Sequence, residues 1–108
     1  MIGSRVLATN ARPTAVLAYG AGLAAPILYA AALLGLRVPG DLSLLTIHDS
    51  PEVSTGRALD TMVLPEAEMG RTAVTLLLEK IANPSRPLPP VALPAVYAPG
   101  DTSGPSIT

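Results

Sequence analysis

The sequence predicts an α/β fold, with a parallel βαβ unit followed by a C-terminal amphipathic helix and a strand. Two apolar runs, near residues 14–18 and 42–47, have the length of buried strands. A helical pattern and a Pro-Gly turn lie between them. Buried parallel strands form continuous apolar runs, and a crossover helix usually joins them. This order of elements therefore favours a parallel pair.

The first strand and helix lie in a stretch from Pro13 to Leu36 that contains no charged residue. Because about 20 apolar residues can cross a bilayer, a membrane span is the alternative. Glycines and a proline interrupt the stretch, and the part that ends at Gly20 has the length of a strand. From Ala21 the apolar spacing is helical, and Gly35 can end the helix. We predict a strand and a helix, and no membrane span.

The second half of the chain is divided by clear turn signals. Val38-Pro39-Gly40-Asp41 predicts a turn before the second strand. Residues 52–58 form a predicted polar loop, and 59–64 a short extended segment. A last strand is expected within 91–97. We predict one domain over 1–98 and a flexible tail over 99–108.

The segment after Pro65 has the pattern of an amphipathic helix that ends at Asn83. Proline is tolerated in the first turn of a helix, and acidic residues near the start and Lys80 near the end suit the helix dipole. Its apolar residues share one face: Met69, Ala73, Leu76, Leu77 and Ile81.

The composition excludes several classes of function. Seven basic and eight acidic residues give a net charge of -1, so the broad basic surface of a nucleic-acid-binding domain is absent. With no cysteine and one histidine, the chain can form neither a disulfide scaffold nor a thiolate or His-rich metal site. No P-loop or Ser-His-Asp arrangement is recognisable. We therefore predict no enzyme, metal or cofactor.

The candidate binding residues follow the two predicted parallel strands. Ligands of open parallel sheets bind beyond the carboxyl ends of the strands, which selects Tyr19, Gly20, His48 and Asp49. Each side chain also has a simpler interpretation: Tyr19 as core packing, His48 as a solvated loop residue and Asp49 as a turn former.

Three strings resemble the C-terminal part of the LacI/GalR family of bacterial transcription repressors. They are RPTAVLAY, GLRVPGDLSLL and EMGRTAVTLLLEKIANPSRPLPPVALP, and the resemblance covers roughly residues 5–97. It implies part of a type I periplasmic-binding-protein-like fold, with residues 1–9 as the end of a preceding helix.

The resemblance also implies a function. Family members join an N-terminal helix-turn-helix, which reads an operator, to a two-lobed sensor domain. The sensor binds a sugar, nucleobase or similar effector between its lobes, dimerises, and changes operator affinity. We expect this chain to be the effector-binding and dimerisation part of such a cytoplasmic repressor. DNA contact would be made only through the helix-turn-helix, which this sequence lacks.

The sequence departs from the family pattern at the effector positions. Where the family commonly has Asn-Asp, this chain has Gly20 and Ala21. Where the family has an aromatic residue and two acids, it has Ile47, His48 and Asp49, and only the second acid matches. A common glutamine is Leu64 here. We therefore expect effector binding to be weak or lost.

A second expectation concerns association between chains. Only 14% of the residues are charged, against roughly 25% in ordinary soluble domains. The implied helix contributes to dimers in the family, so we expect a homodimer or higher association through Leu23, Ile27, Leu28 and Ala31. The alternative to a ligand-responsive regulator is a truncated remnant that only self-associates. The effector, the operator and the oligomeric state stay open at this point.

Overall fold

The computed structural model describes residues 7–8 and 11–105 and confirms the α/β class. Strand β1 (Ala15–Tyr19), helix α1 (Ala21–Leu33) and strand β2 (Ser43–His48) form the βαβ unit. The two strands are parallel, with Ala15 opposite Ser43 and Tyr19 opposite Ile47. Both predicted strands are confirmed to within one residue at each end. The helix end expected within 1–9 lies outside the described residues, apart from positions 7 and 8.

Five further elements follow. They are β3 (Val53–Ser54), β4 (Arg57–Ala58), β5 (Asp60–Val63), helix α2 (Glu66–Ala82) and β6 (Val96–Ala98). Strand β5 is parallel to β2, and β6 is antiparallel to β5, which gives the sheet order β1-β2-β5-β6. The extended segment and the second helix predicted from the sequence are present. The last strand is shorter than the predicted span 91–97: only 96 and 97 of that span are strand, and residues 91–95 are not.

The segment 52–58, predicted as a polar loop, instead contains the antiparallel hairpin β3–β4. Its two turn residues, Thr55 and Gly56, both have positive φ, as the type I′ form of a two-residue hairpin turn requires. The Arg57 guanidinium donates to the backbone oxygens of Val38 and Asp101. The hairpin is therefore connected to the turn before β2 and to the C-terminal segment.

Helix α1 covers one face of the sheet and supplies four of the nine buried core residues. Its buried residues pack against β1, β2 and the segment before β5 in two adjoining clusters. The first contains Ala18, Ala24, Leu28, Leu44 and Leu59, and the second contains Leu7, Ala30, Ala31 and Leu42. Over the described residues, no helix combines the length and hydropathy needed to cross a bilayer.

The opposite face of the sheet carries one apolar row across all four strands. Tyr19 is opposite Ile47, Ile47 is opposite Met62, and Met62 is opposite Tyr97. The two tyrosines are exposed, and the two central residues are partly exposed. We call these four residues the open row, because apolar side chains there remain in contact with solvent.

Helix α2 forms as predicted, and none of its residues is buried. It packs against no other helix or strand among the described residues. Val91 and Leu93, from the segment between α2 and β6, line a groove of about 210 Å³ with Met69 and Leu76 of the helix. Several apolar side chains of α2 stay exposed: Val74, Leu77, Leu78 and Ile81.

Part of the segment predicted as a flexible tail, residues 99–105, is hydrogen-bonded to the sheet. The fully buried Thr102 hydroxyl donates to the Leu44 oxygen at 2.8 Å and accepts from the Asp60 N–H at 2.9 Å. The Leu44 N–H in turn donates to the Thr102 oxygen at 2.7 Å. Thr102 therefore bridges β2 and β5 just before their direct pairing begins. Residues 106–108 lie outside the described residues.

The buried carboxylate of Asp60 accepts several further hydrogen bonds from β6 and this tail. One oxygen accepts from the Gly100 N–H at 2.7 Å, and the other accepts from the Tyr97 hydroxyl at 2.7 Å and from Ser103. Burial raises the pKa of Asp60, but these hydrogen bonds and one from the Thr102 N–H outweigh it and leave the pKa below its usual value. A Cβ at Gly100 would overlap the backbone of residues 58 and 59, so only glycine fits there.

Candidate functional site

The parallel pairing brings the predicted site residues to one edge of the sheet. Because β1 and β2 are in register, Gly20 lies beside His48 at their carboxyl ends, and the Gly20 N–H donates to the Ile47 oxygen at 2.9 Å. On the other side, the Leu64 N–H donates to the His48 oxygen at 2.7 Å. Gly20, His48 and Leu64 thus lie side by side.

The two ring-bearing side chains of the predicted site lie on opposite faces of the sheet. Successive strand residues alternate in direction, and Thr46, two residues before His48, is buried next to the Ala18 position on the α1 face. His48 therefore shares the face covered by α1. Tyr19 belongs to the open row on the other face. The structure brings Gly20, His48 and Asp49 together and places the Tyr19 ring across the sheet from them.

His48 is held by carboxylates from the loop that follows β2. Its Nδ1 lies 2.6 Å from Oε1 of Glu52 and 2.8 Å from Oδ1 of Asp49. The Ser50 hydroxyl is 3.5 Å from the same nitrogen. The simpler interpretations, in which His48 is a solvated loop residue and Asp49 forms a turn, do not account for these contacts. The sequence analysis missed Glu52, although its position four residues after His48, across Pro51, was the available signal.

The N-terminus of α1 opens at the same edge. Its cap residue, Gly20, has a φ of 93°, a region that favours glycine, and no side chain caps the helix. The first-turn N–H groups of a helix have no partner within the helix and attract ligand oxygens. Gly20 thus leaves the helix without a side-chain cap, and the Leu23 N–H donates to the Gly20 oxygen at 3.2 Å.

Two further observations concern metal binding and cavities. Among the described residues, no group of three or more His, Asp or Glu side chains is placed to hold a metal ion. A groove of about 460 Å³ lies near the amino-terminal ends of β1 and β2, opposite the site edge. It is lined by Ala15, Val16, Ser43, Leu44, Leu45, Tyr97, Ser103, Gly104 and Pro105.

The four residues predicted for a dimer interface fall on different sides of α1. Leu28 and Ala31 are buried in the core, and Ile27 packs against both core clusters. Of the four, only Leu23 is exposed. The exposed side of α1 carries Leu23, Tyr29 and Leu33, so a contact with another chain through this helix would use those residues.

Comparison with known proteins identifies a family for this chain. The family model for the periplasmic binding protein-like domain matches residues 1–103. The ribose operon repressor of Haemophilus influenzae is 37% identical over 82 residues, which are 74% of this chain and 24% of that protein. The chain therefore spans about a quarter of the length of this curated relative.

Solved structures show the same architecture. A LacI family transcriptional regulator from Bifidobacterium animalis subsp. lactis superposes with a TM-score of 0.80 at 25% identity, over 97% of this chain and 39% of that one. A LacI family transcriptional regulator from Arthrobacter sp. FB24, in complex with lactose, gives a TM-score of 0.71 at 25% identity, over 94% and 40%. The predicted periplasmic-binding-protein-like fold is thereby confirmed.

Proposed function

This chain belongs to the periplasmic binding protein-like domain family, in the form found in LacI-type regulators. We therefore propose that it is part of the effector-binding domain of a transcriptional repressor. The family membership confirms the resemblance drawn from the sequence. The repressor activity is proposed for the whole protein of which this sequence would be a part, because the chain spans only 24% of its repressor relative. Such a regulator would act in the cytoplasm, and nothing in this chain suggests a catalyst.

One observation carries the proposal. Gly20, His48 and Asp49 meet at the carboxyl edge of a parallel sheet, next to the open N-terminus of α1. Open α/β sheets bind ligands at this edge, where strand ends and helix N-termini converge. Tyr19 would contact a ligand from the other face of the sheet, at the rim of the site.

The effector is a small polar molecule, a sugar or a nucleobase. Two relatives support a sugar: the ribose operon repressor and the regulator whose structure contains lactose. The backbone N–H groups at α1 offer donors to ligand oxygens, and the side chains of His48 and Asp49 offer further hydrogen bonds. We therefore favour a ligand with several hydroxyl groups.

Binding should be weak, because the site lacks side-chain groups that a polar ligand needs. Gly20 has no side chain, and Leu64 contributes no hydrogen bond from its side chain. Each hydrogen bond lost to a buried hydroxyl costs about 1 kcal/mol, and about 1.4 kcal/mol corresponds to a tenfold change in affinity. Two or three losses would weaken binding by roughly one to two orders of magnitude.

Calorimetric titration of the chain with ribose, lactose and adenine tests this function. We expect weak binding of at least one sugar, abolished by His48→Ala and retained by Glu79→Gln, a matched change on the exposed face of α2. Micromolar binding that His48→Ala leaves unchanged would place the site elsewhere.

DNA contact is not proposed for this segment. The chain carries 7 basic and 8 acidic residues, so it lacks the positive surface that holds phosphates. In a gel shift the chain should not retain a specific operator. Sequence-dependent, salt-sensitive retention would contradict this. A helix-turn-helix encoded in frame upstream of Met1 would support the repressor assignment.

A second candidate function is a remnant that only self-associates. The open row and the exposed apolar residues of α2 favour it, because apolar patches of several hundred Å² tend to find partners. Absence of any heat of binding with all three probes, together with dimers or larger species in sedimentation, would favour the remnant over the sensor.

A further inference from the structure

His48 and Glu52 form a defined pair at the edge of the proposed site. Nδ1 of His48 is 2.6 Å from Oε1 of Glu52, and 2.8 Å from Oδ1 of Asp49. An ionised carboxylate can only accept hydrogen bonds. A ring nitrogen at these distances from two carboxylate oxygens must therefore carry its hydrogen.

We infer that Glu52 is a positioning residue: it holds His48 in the tautomer with the hydrogen on Nδ1, so that neutral His48 presents Nε2 to the effector as a hydrogen-bond acceptor. In a neutral imidazole, one nitrogen donates and the other accepts, and the partner of one nitrogen decides the role of the other. The role toward a ligand rests on the proposed function, whereas the tautomer does not.

Glu52 is better placed for this role than Asp49. Its side chain is 19% exposed, against 52% for Asp49, and its distance to Nδ1 is the shorter of the two. Its backbone is also fixed, because the Glu52 oxygen accepts from the N–H of the buried Leu59 at 2.9 Å. A partly buried carboxylate on a fixed backbone orients the ring more firmly than a half-exposed one.

The tautomer defines the class of ligand. An Nε2 lone pair accepts one hydrogen bond, so its ligand must offer a hydroxyl or a ring N–H there. The carboxylates behind His48 add negative charge, which disfavours an anion at this point. The ligand is therefore neutral at the position that meets His48, as a sugar hydroxyl is.

The test uses the fact that His48 is the only histidine in the chain. In the full chain labelled with ¹⁵N-histidine, each ring nitrogen gives one resonance that reports whether it carries hydrogen. In spectra recorded at a pH high enough that only one ring nitrogen carries hydrogen, we expect that hydrogen on Nδ1 and a free lone pair on Nε2. Hydrogen on Nε2 in the ligand-free protein would overturn the inference.

Variants of Glu52 separate positioning from a merely structural contact. Glu52→Ala should shift hydrogen from Nδ1 toward Nε2, and Glu52→Gln should restore the wild-type spectrum, because the amide oxygen still accepts from Nδ1–H. Asp49→Ala should have a smaller effect and Glu79→Ala none. A spectrum that Glu52→Ala leaves unchanged would also overturn the inference.

Titration with ribose then tests the ligand-facing role. Glu52→Ala should weaken ribose binding about 5- to 10-fold, as the loss of one oriented hydrogen bond predicts, and Glu52→Gln should stay within about twofold of wild type. Equal affinity of wild type and Glu52→Ala for ribose would show that Glu52 does not position His48 for ligand binding. If the wild type bound neither ribose nor lactose, the proposed function would fail, while the spectra would still decide the tautomer.

Discussion

The carboxylate of Asp60 accepts a hydrogen bond of 2.7 Å from the hydroxyl of Tyr97, 37 residues later in the chain. The same carboxylate accepts from Gly100, Thr102 and Ser103, so one buried group on β5 fixes β6 and the segment that follows it. This arrangement explains why the C-terminal segment is ordered although its sequence is rich in Gly, Ser and Pro.

Removal of this carboxylate should destabilise the fold. Asp60→Ala leaves the donors of the C-terminal segment without a buried acceptor, and we expect it to lower the free energy of unfolding by about 2–3 kcal/mol. Urea unfolding measures the change. Asp101→Ala, at an exposed pair with Arg57, is the control and should cost less than about 1 kcal/mol. Equal effects of the two variants would contradict the anchoring role.

Acid should remove the contribution of Asp60. The pKa of Asp60 is lowered in the folded chain, whereas an unfolded aspartate titrates near pH 3.9. Its contribution is therefore fully present above the unfolded pKa and is lost as the pH falls through the folded pKa. The stability difference between wild type and Asp60→Asn should be constant from pH 7 to about 5 and should shrink on further acidification. A difference that grows below pH 4 would reverse the sign of this linkage.

The Thr102 hydroxyl should contribute more to the stability of the fold than the Thr102 methyl group does. Thr102→Val keeps the shape but leaves the Leu44 oxygen and the Asp60 N–H without their buried partner, at a cost of roughly 2 kcal/mol. Thr102→Ser keeps the hydroxyl and should cost less. Thermal unfolding of the three proteins gives the order. A Val variant more stable than the Ser variant would show that packing, and not hydrogen bonding, holds this residue.

Substitutions at two leucines of α1 should distinguish an effect on folding stability from an effect on self-association. Leu28 is 8% exposed and Leu23 is 55% exposed. Leu28→Ala should lower the free energy of unfolding by about 2–5 kcal/mol through the cavity that it leaves. Leu23→Ala should change stability by less than about 0.5 kcal/mol but reduce self-association in sedimentation at micromolar concentration. A wild type that is a strict monomer at that concentration would count against association through α1.

Local patterns predicted most of the fold. The two apolar runs, the helical spacing after Gly20 and the Pro-Gly turn define the βαβ unit, and each pattern reflects a short-range preference that the structure keeps. The β3–β4 hairpin escaped prediction because its strands contain only two residues each and present no alternation. The anchored tail escaped prediction because its order depends on Asp60, a partner about 40 residues away.

The candidate site was predictable in position and not in detail. The strand-end rule selected Gly20, His48 and Asp49, which the parallel register does bring together. It could not select Glu52, whose role depends on how the loop after β2 folds back. It also could not show that Tyr19 and His48 face opposite sides, because that follows from the exact register of the two strands.

Because α2 does not pack against the sheet, we expect it to unfold before the sheet does. The hydrogen bonds of this helix are its own, and no described helix or strand packs on it, so its turns can melt while the sheet stays intact. Its amide hydrogens should exchange with solvent deuterium at the rate of a nearly free helix, while those of β2, between two paired strands, exchange only through global opening. We therefore expect two cooperative units of unequal stability, the less stable of which carries several of the exposed apolar residues.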